Sequence, residues 1–142
     1  NIVDGASMNH RAHSPKGTLF DMQFAESDPW CYPVLELKED EIPDSSFRGL
    51  ALTVQLLEGE GTIRVQFVEA NRAQYVADTH YKTALAGPQR VRAKFSGALR
   101  RPTPPDDDGR LNPENIRKIM VGINSKRQSH VRMAVSDLEW TK

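Results

Sequence analysis

Two apolar stripes at period two constrain the fold of this chain most. Leu50, Leu52, Val54 and Leu56 alternate with Ala51, Thr53 and Gln55. After Gly59-Glu60-Gly61, Ile63, Val65 and Phe67 alternate with Thr62, Arg64 and Gln66. Successive side chains of a β-strand point to opposite faces, so each run buries one face and leaves the other in water. The glycine-rich connection makes the two runs adjacent strands, either a hairpin or a crossing between sheets. The same alternation recurs at Val91, Ala93 and Phe95, at Ile119, Val121 and Ile123, and at Val131, Met133 and Val135. Further strands read at 18–24, 32–37 and 74–78. Almost nothing carries helical periodicity. Asn112-Pro113-Glu114-Asn115 reads as one helical turn, with Asn112 as N-cap and Pro113 at the first helical position. Residues 101–110, RPTPPDDDGR, read as a loop.

Eight strands at even spacing in 142 residues give one all-β domain. The expected architecture is an antiparallel β-sandwich, a jelly roll, with a closed barrel as the alternative. Residues 1–16 are an N-terminal extension or a first edge strand of that single domain, 1–142. The domain is large enough to fold without a disulfide or a metal. Its one cysteine, Cys31, rules out an internal disulfide and a thiolate zinc cluster. Nineteen basic residues balance nineteen acidic ones, which argues against a dedicated nucleic-acid binder. No apolar run approaches the ~18 residues of a membrane span. The chain begins at Asn1, as expected of a processed protein or a domain excised from a longer one.

Catalytic motifs are absent: there is no G-x-S-x-G, H-E-x-x-H or phosphate loop. Glu36 and Glu69 could share one sheet face, but a glycosidase needs two carboxylates at a defined separation across a cleft. Asp106-Asp107-Asp108 does not have EF-hand spacing and reads as a solvated acidic loop. His10 and His13 lack a nearby acidic cluster.

Three passages carry a resemblance. Asp44-Ser45-Ser46-Phe47-Arg48-Gly49-Leu50-Ala51-Leu52-Thr53-Val54 resembles the "D-S-x-x-x-G-L-x-x-x-V" passage of galactose-binding-like jelly rolls. Val65-Gln66-Phe67-Val68-Glu69 with Gln74-Tyr75 is similar to their "v-x-l-x-E … x-Y" hairpin. Leu111-Asn112-Pro113-Glu114-Asn115-Ile116, Val121-Gly122-Ile123 and Val135-Ser136-Asp137-Leu138-Glu139 resemble their closing pattern. In order and spacing the resemblance covers about residues 17 to 140. The family comprises carbohydrate-binding modules and ancillary domains of glycoside hydrolases and polysaccharide lyases.

By analogy with that fold, strands 17–24, 130–139, 48–57 and 89–97 form one sheet. Strands 32–38, 116–124, 61–69 and 73–78 form the other. The first presents Ala51, Thr53, Gln55, Arg90, Arg92, Lys94, Arg132 and Ser136, with Phe20 its one aromatic if that ring faces out. The second presents Tyr32, Val34, Glu36, Arg64, Gln66, Met120, Gly122 and Asn124, and Tyr75 in one of two registers. Trp30 lies at its end, and Gly122 leaves a gap in its floor. A pyranose stacks its C–H face on an aromatic ring and offers a rim of hydroxyls, so the second sheet suits a sugar.

The expected ligand-binding residues are therefore Trp30, Tyr32, Arg64, Gln66, Glu69, Tyr75, His80 and Asn124. Core packing is the competing role for Trp30, Tyr32 and Tyr75, and a solvated face for Arg64 and Gln66. No catalytic residue is assigned. Such modules often hold a structural calcium, for which Asp21 and Asp137 are the candidates. The resemblance implies a monomeric, non-catalytic domain that binds a polysaccharide or oligosaccharide. It would target a linked catalytic domain, as part of a secreted or periplasmic bacterial enzyme. The rivals are a ligand-free structural ancillary domain, a small jelly-roll lyase using Tyr75, His80, Arg64 and Gln66, and a protein-binding domain of the same fold.

Overall fold

The computed structural model describes residues 7–14, 17–24, 30–125 and 129–142, with side chains from residue 17 onward. Two antiparallel sheets face each other. One has the order β1 (Ser7–Ser14), β2 (Gly17–Gln23), β11 (His130–Thr141), β5 (Gly49–Glu58) and β8 (Gln89–Lys94). In the other, β3 (Trp30–Cys31) and β4 (Val34–Glu36) both pair with β10 (Ile116–Asn124). That sheet continues through β6 (Thr62–Glu69) and β7 (Gln74–Asp78) to β9 (Leu99–Arg100). This is the sheet partition read from the sequence, with β1 added at one edge and β9 at the other.

The apolar stripes interlock as their period requires. Val65 lies opposite Val121, Phe67 opposite Ile119, and Ile63 opposite Ile123 across β6 and β10. Leu52 meets Val91, and Val54 meets Val135, in the facing sheet. All of these are buried, as is Phe20, which therefore faces the core. Each such side chain contributes roughly 1.5–3 kcal/mol by leaving water. A one-residue slip of any strand would expose its whole set, which is what fixes the register.

The connection 59–61 carries the chain from β5 in one sheet to β6 in the other, so it is a crossing and not a hairpin. The strand expected at 89–97 stops at Lys94. There the chain enters a 3₁₀ turn, Phe95–Gly97, which turns the Phe95 ring edge-on to Phe67 at 5.0 Å and beside Trp140 at 6.1 Å. Pro113–Asn115 forms the expected helical turn, again 3₁₀. The Asn112 side chain makes no cap hydrogen bond there; its Nδ2 donates to Asp108 Oδ2 at 2.8 Å. At the start of β2, Gly17 has φ +124°, and a Cβ there would lie 2.2 Å from the Val135 carbonyl oxygen, so only glycine fits.

Candidate functional site

Strands β6, β7 and β10 turn a second set of residues away from the core. Arg64 lies opposite Asp78 on β7 and opposite Gly122 on β10. Gln66 lies opposite Val76 and Met120. Asn124 lies opposite Trp30. These pairings place Trp30, Gly122, Arg64, Gln66, Asp78 and Val76 on one face. With Tyr32, Leu99, Arg100, Arg101 and Pro102, residues of that face line a groove of about 520 Å³. It runs across the strands from β3 to β9, about 19 Å at the usual strand spacing.

The groove is built from Gly122 upward. A Cβ on Gly122 would sit 2.4 and 2.5 Å from Tyr32 Cε1 and Cδ1, so the tyrosine ring fills the gap that glycine leaves. Tyr32 is thereby only 8% exposed. Trp30 stacks on it with ring centroids 5.4 Å apart and planes within 6°. Arg64 Cζ lies 5.1 Å from the Trp30 ring centroid, a cation–π contact of about 0.5–1 kcal/mol. Tyr32 is thus the support, and half-buried Trp30 and exposed Arg64 are the surface. On the far side Leu99, 75% exposed, and Pro102 supply an apolar margin. Such a trough offers ring faces and apolar edges to C–H groups, with a guanidinium and the Asp78 carboxylate for hydroxyls.

Other expected site residues lie elsewhere. Gln66 is on the groove-side register but only 1% exposed, and its Oε1 has no hydrogen-bond partner among the described residues. Asn124 is half-buried beside Trp30 and lines a separate depression with Thr62 and Tyr81. His80 is exposed beyond the end of β7, where its backbone N–H donates to Asp78 Oδ1 at 2.8 Å. Tyr75 takes the inward register opposite Phe67 and is buried, so its ring offers no stacking face. The four residues considered for a lyase therefore do not converge: Tyr75 points to the opposite side of the sheet from Arg64 and Gln66.

Glu69 and Tyr75 hold a loop instead. The Tyr75 hydroxyl donates to Asp106 Oδ2, and Asn71 Nδ2 donates to Asp106 Oδ1 at 3.1 Å. The Asn112 N–H donates to Glu69 Oε2 at 2.9 Å. Together they pin residues 101–112, whose first residues border the groove. Burial pushes the Glu69 carboxyl up to about 7, against the Asn112 N–H and with Asp106 nearby adding to the rise. The Tyr75 hydrogen bond holds Asp106 below its ordinary value, and burial raises Tyr75. Glu36, the other carboxylate considered with Glu69, lies 3.8 Å from Lys118 as an ion pair.

The two candidate calcium ligands are not neighbours. Asp21 lies opposite Arg132 on β11, where His130 Nε2 bonds to its carboxylate. Asp137 is five residues further along β11, roughly 16 Å at strand rise, within a bulge where its carbonyl accepts from Arg90. Among the described residues no group of three metal-ligating side chains is present.

Asp78, Val76, Leu99, Arg100, Arg101 and Pro102 also line the groove, unexpected from the sequence. The signal for the first two was in the sequence. Gln74 and Asp78 are the polar members of the 74–78 run, and putting them outward carries Val76 with them.

No protein-family model and no curated protein sequence matches the chain. Solved structures do. A family 11 carbohydrate-binding module from Clostridium thermocellum, in complex with a β-1,3-1,4-mixed-linked tetrasaccharide, aligns with TM-score 0.67 and 14% identity. That alignment covers 99% of this chain and 86% of the module. The CBM22-1 xylan-binding domain from Paenibacillus barcinonensis Xyn10C aligns with TM-score 0.51 and 10% identity over 100% of this chain and 85% of that one. A β-1,2-glucanase from Parabacteroides distasonis aligns with TM-score 0.67 and 9% identity, covering 99% of this chain and 22% of the enzyme. With its two sheets, crossing connection and strand order, this chain has the β-sandwich fold of carbohydrate-binding modules.

Proposed function

We propose that this chain is a non-catalytic carbohydrate-binding domain and that the groove on the β3–β9 sheet receives the glycan. The carrying observation is the stack of Tyr32 on Gly122 and Trp30 on Tyr32, with Arg64 over Trp30, on the floor of an open trough. A chain lying across the strands would place successive sugars against Trp30, over Arg64 and Asp78, and against Leu99. The oligosaccharide complex of the family 11 module and the glucanase segment that shares this fold support the reading. In its natural setting the domain is monomeric and exported. It belongs to a larger polysaccharide-degrading enzyme, whose catalytic domain it holds at high effective concentration near the polymer. Affinity is modest, because a shallow groove must order a flexible ligand.

Affinity electrophoresis of the chain through neutral and anionic polysaccharides, beside Trp30→Ala and Arg64→Ala, tests this. Retardation by at least one polymer, weakened about tenfold or more in both variants, is the expected result. Arg64 is exposed, so its variant keeps the fold and reports on binding alone. Retardation by none of the panel would remove the proposal and leave a structural ancillary domain. Depolymerisation of the gel matrix would make the chain an enzyme.

A further inference from the structure

A second groove, of about 640 Å³, follows the β7–β8 edge of the sandwich. It shares Asp78 and Gly97 with the first, so the two meet across those residues as one bent track. The chain carries no net charge, yet charge along this track is one-sided. Arg64, Arg100 and Arg101 line the first part, and Lys82, Arg90, Arg92 and Lys94 the second. Asp78 is the one carboxylate in either lining. Arg90 is neutralised by Glu139 at 3.1 Å. Among the described residues, no ion pair engages Arg92, Lys94, Lys82, Arg100 or Arg101. The other ion pairs are His80 with Asp78 at 4.0 Å within the track, Lys118 with Glu36 on the same outer sheet face but outside the groove lining, and those around His130 on the other sheet.

Cations segregated along a groove and left without carboxylates raise the local concentration of an anionic ligand and repel a cationic one. Charge on an edge strand also blocks edge-to-edge pairing, which accounts for basic residues on β8. The same reason covers Arg100 on the edge strand β9, but not Arg64, which sits on the interior strand β6 and continues the track across the other sheet.

We propose that the track selects an anionic polysaccharide. The aromatic end holds a sugar ring, and Arg92, Lys94 and Lys82 meet carboxylate or sulfate groups further along the same chain. The proposal rests on the glycan-binding reading of the groove and adds the ligand's charge and its path. A nucleic acid is the disfavoured polyanion, because the chain lacks the overall basic excess that would draw it.

The test is affinity electrophoresis in polygalacturonate, alginate, carrageenan and mixed-linkage β-glucan, at 20 and 200 mM salt. The double variant R92A/K94A stands beside R64A, and a single-stranded homopolymer serves as control. Both altered side chains of the double variant are exposed and lie outside the aromatic end. The expected result is preference for a uronate or a sulfated polymer, the panel showing which. Binding should weaken about fivefold in R92A/K94A and again at high salt. Binding of the neutral glucan that falls in R64A but ignores R92A/K94A and salt, with no anionic preference, would overturn this proposal and leave the glycan-binding reading standing. Retardation by none of the glycans would overturn both. Equal retardation by the homopolymer would replace glycan selection with general polyanion binding.

Discussion

Replacing Gly122 by alanine puts a methyl carbon where the Tyr32 ring lies. The new Cβ would be 2.4 Å from Tyr32 Cε1, whereas ordinary contact begins at 3.4 Å, so the ring must retreat by at least 1.0 Å. Strand β10 cannot give way instead, because it is held by β6 on one side and by β3 and β4 on the other. Overpacking of this kind costs about 1–3 kcal/mol. Reduced freedom of the unfolded chain returns about 0.4–1 kcal/mol. The net loss, about 1–2 kcal/mol, lowers Tm by roughly 3–6 °C in a domain of this size. The larger consequence is in the groove. A ring displaced by 1 Å loses a quarter to a half of its close-contact energy with whatever it stacks on, and Trp30 at 5.4 Å moves with it. Near-ultraviolet circular dichroism reads the stack, thermal melting reads the fold, and affinity electrophoresis reads the groove. The G122A variant should keep a cooperative melt, change its aromatic spectrum and lose most glycan retention. An unchanged spectrum with an unchanged or raised Tm would refute the seating of Tyr32 on Gly122.

Three other outcomes follow from the electrostatics and the loop. Glu69 titrates near 7 in the fold and near 4.5 when unfolded, so the native state holds the extra proton between those values. Stability therefore falls as pH rises through that window, by about 3 kcal/mol at most, and Glu69→Gln should flatten the Tm–pH curve there; parallel curves would contradict the assignment. The Asp21 hydrogen bond, then Glu58, raises His130 above its ordinary 6.5. Its contribution is complete below 6.5 and lost as pH rises through the raised value, so His130→Gln should destabilise most below pH 6.5 and progressively less as the pH rises above it. Tyr75→Phe removes the hydroxyl bond to Asp106, and hydrogen exchange in residues 101–112 should accelerate before the strands do, with a stability loss of about 1–3 kcal/mol.

The sheets were legible because their inner faces obey a strict period. Leu50 to Leu56 and Ile63 to Phe67 announce both strand and face, and burial of those sets determines the pairing. Arg64 and Gln66 follow directly, as the residues between buried ones. The run 74–78 was ambiguous because Tyr75 and Val76 are both good strand residues. The inward place went to Tyr75, which packs beside Phe67 and reaches Asp106 with its hydroxyl. Glu69 ends an alternating strand and reads as exposed, but the loop 101–112 folds over it, and that contact spans 43 positions. The second groove wall was hidden for the same reason. Leu99 and Arg100 make a two-residue strand that exists only because β7 offers an edge, and no local pattern marks it. Tyr32 was expected to stack a sugar and supports Trp30 instead, since only the pairing of β10 with β6 and β3 reveals which ring covers Gly122.

Glycan binding at the Trp30 face can be tested within the chain itself, whose two tryptophans provide a built-in comparison. Trp30 lies in the groove, whereas Trp140 packs beside Phe95 and donates its indole N–H to the Glu41 carbonyl at 2.8 Å. An isotope-edited NMR titration with the polymer that retards the chain most, cut to oligosaccharides, separates them. The Trp30 indole and the Gly122 and Asp78 amides should shift, with the Trp140 indole unmoved. Saturable shifts at Trp140 or on the outer face of β5 and β11, with Trp30 silent, would contradict it.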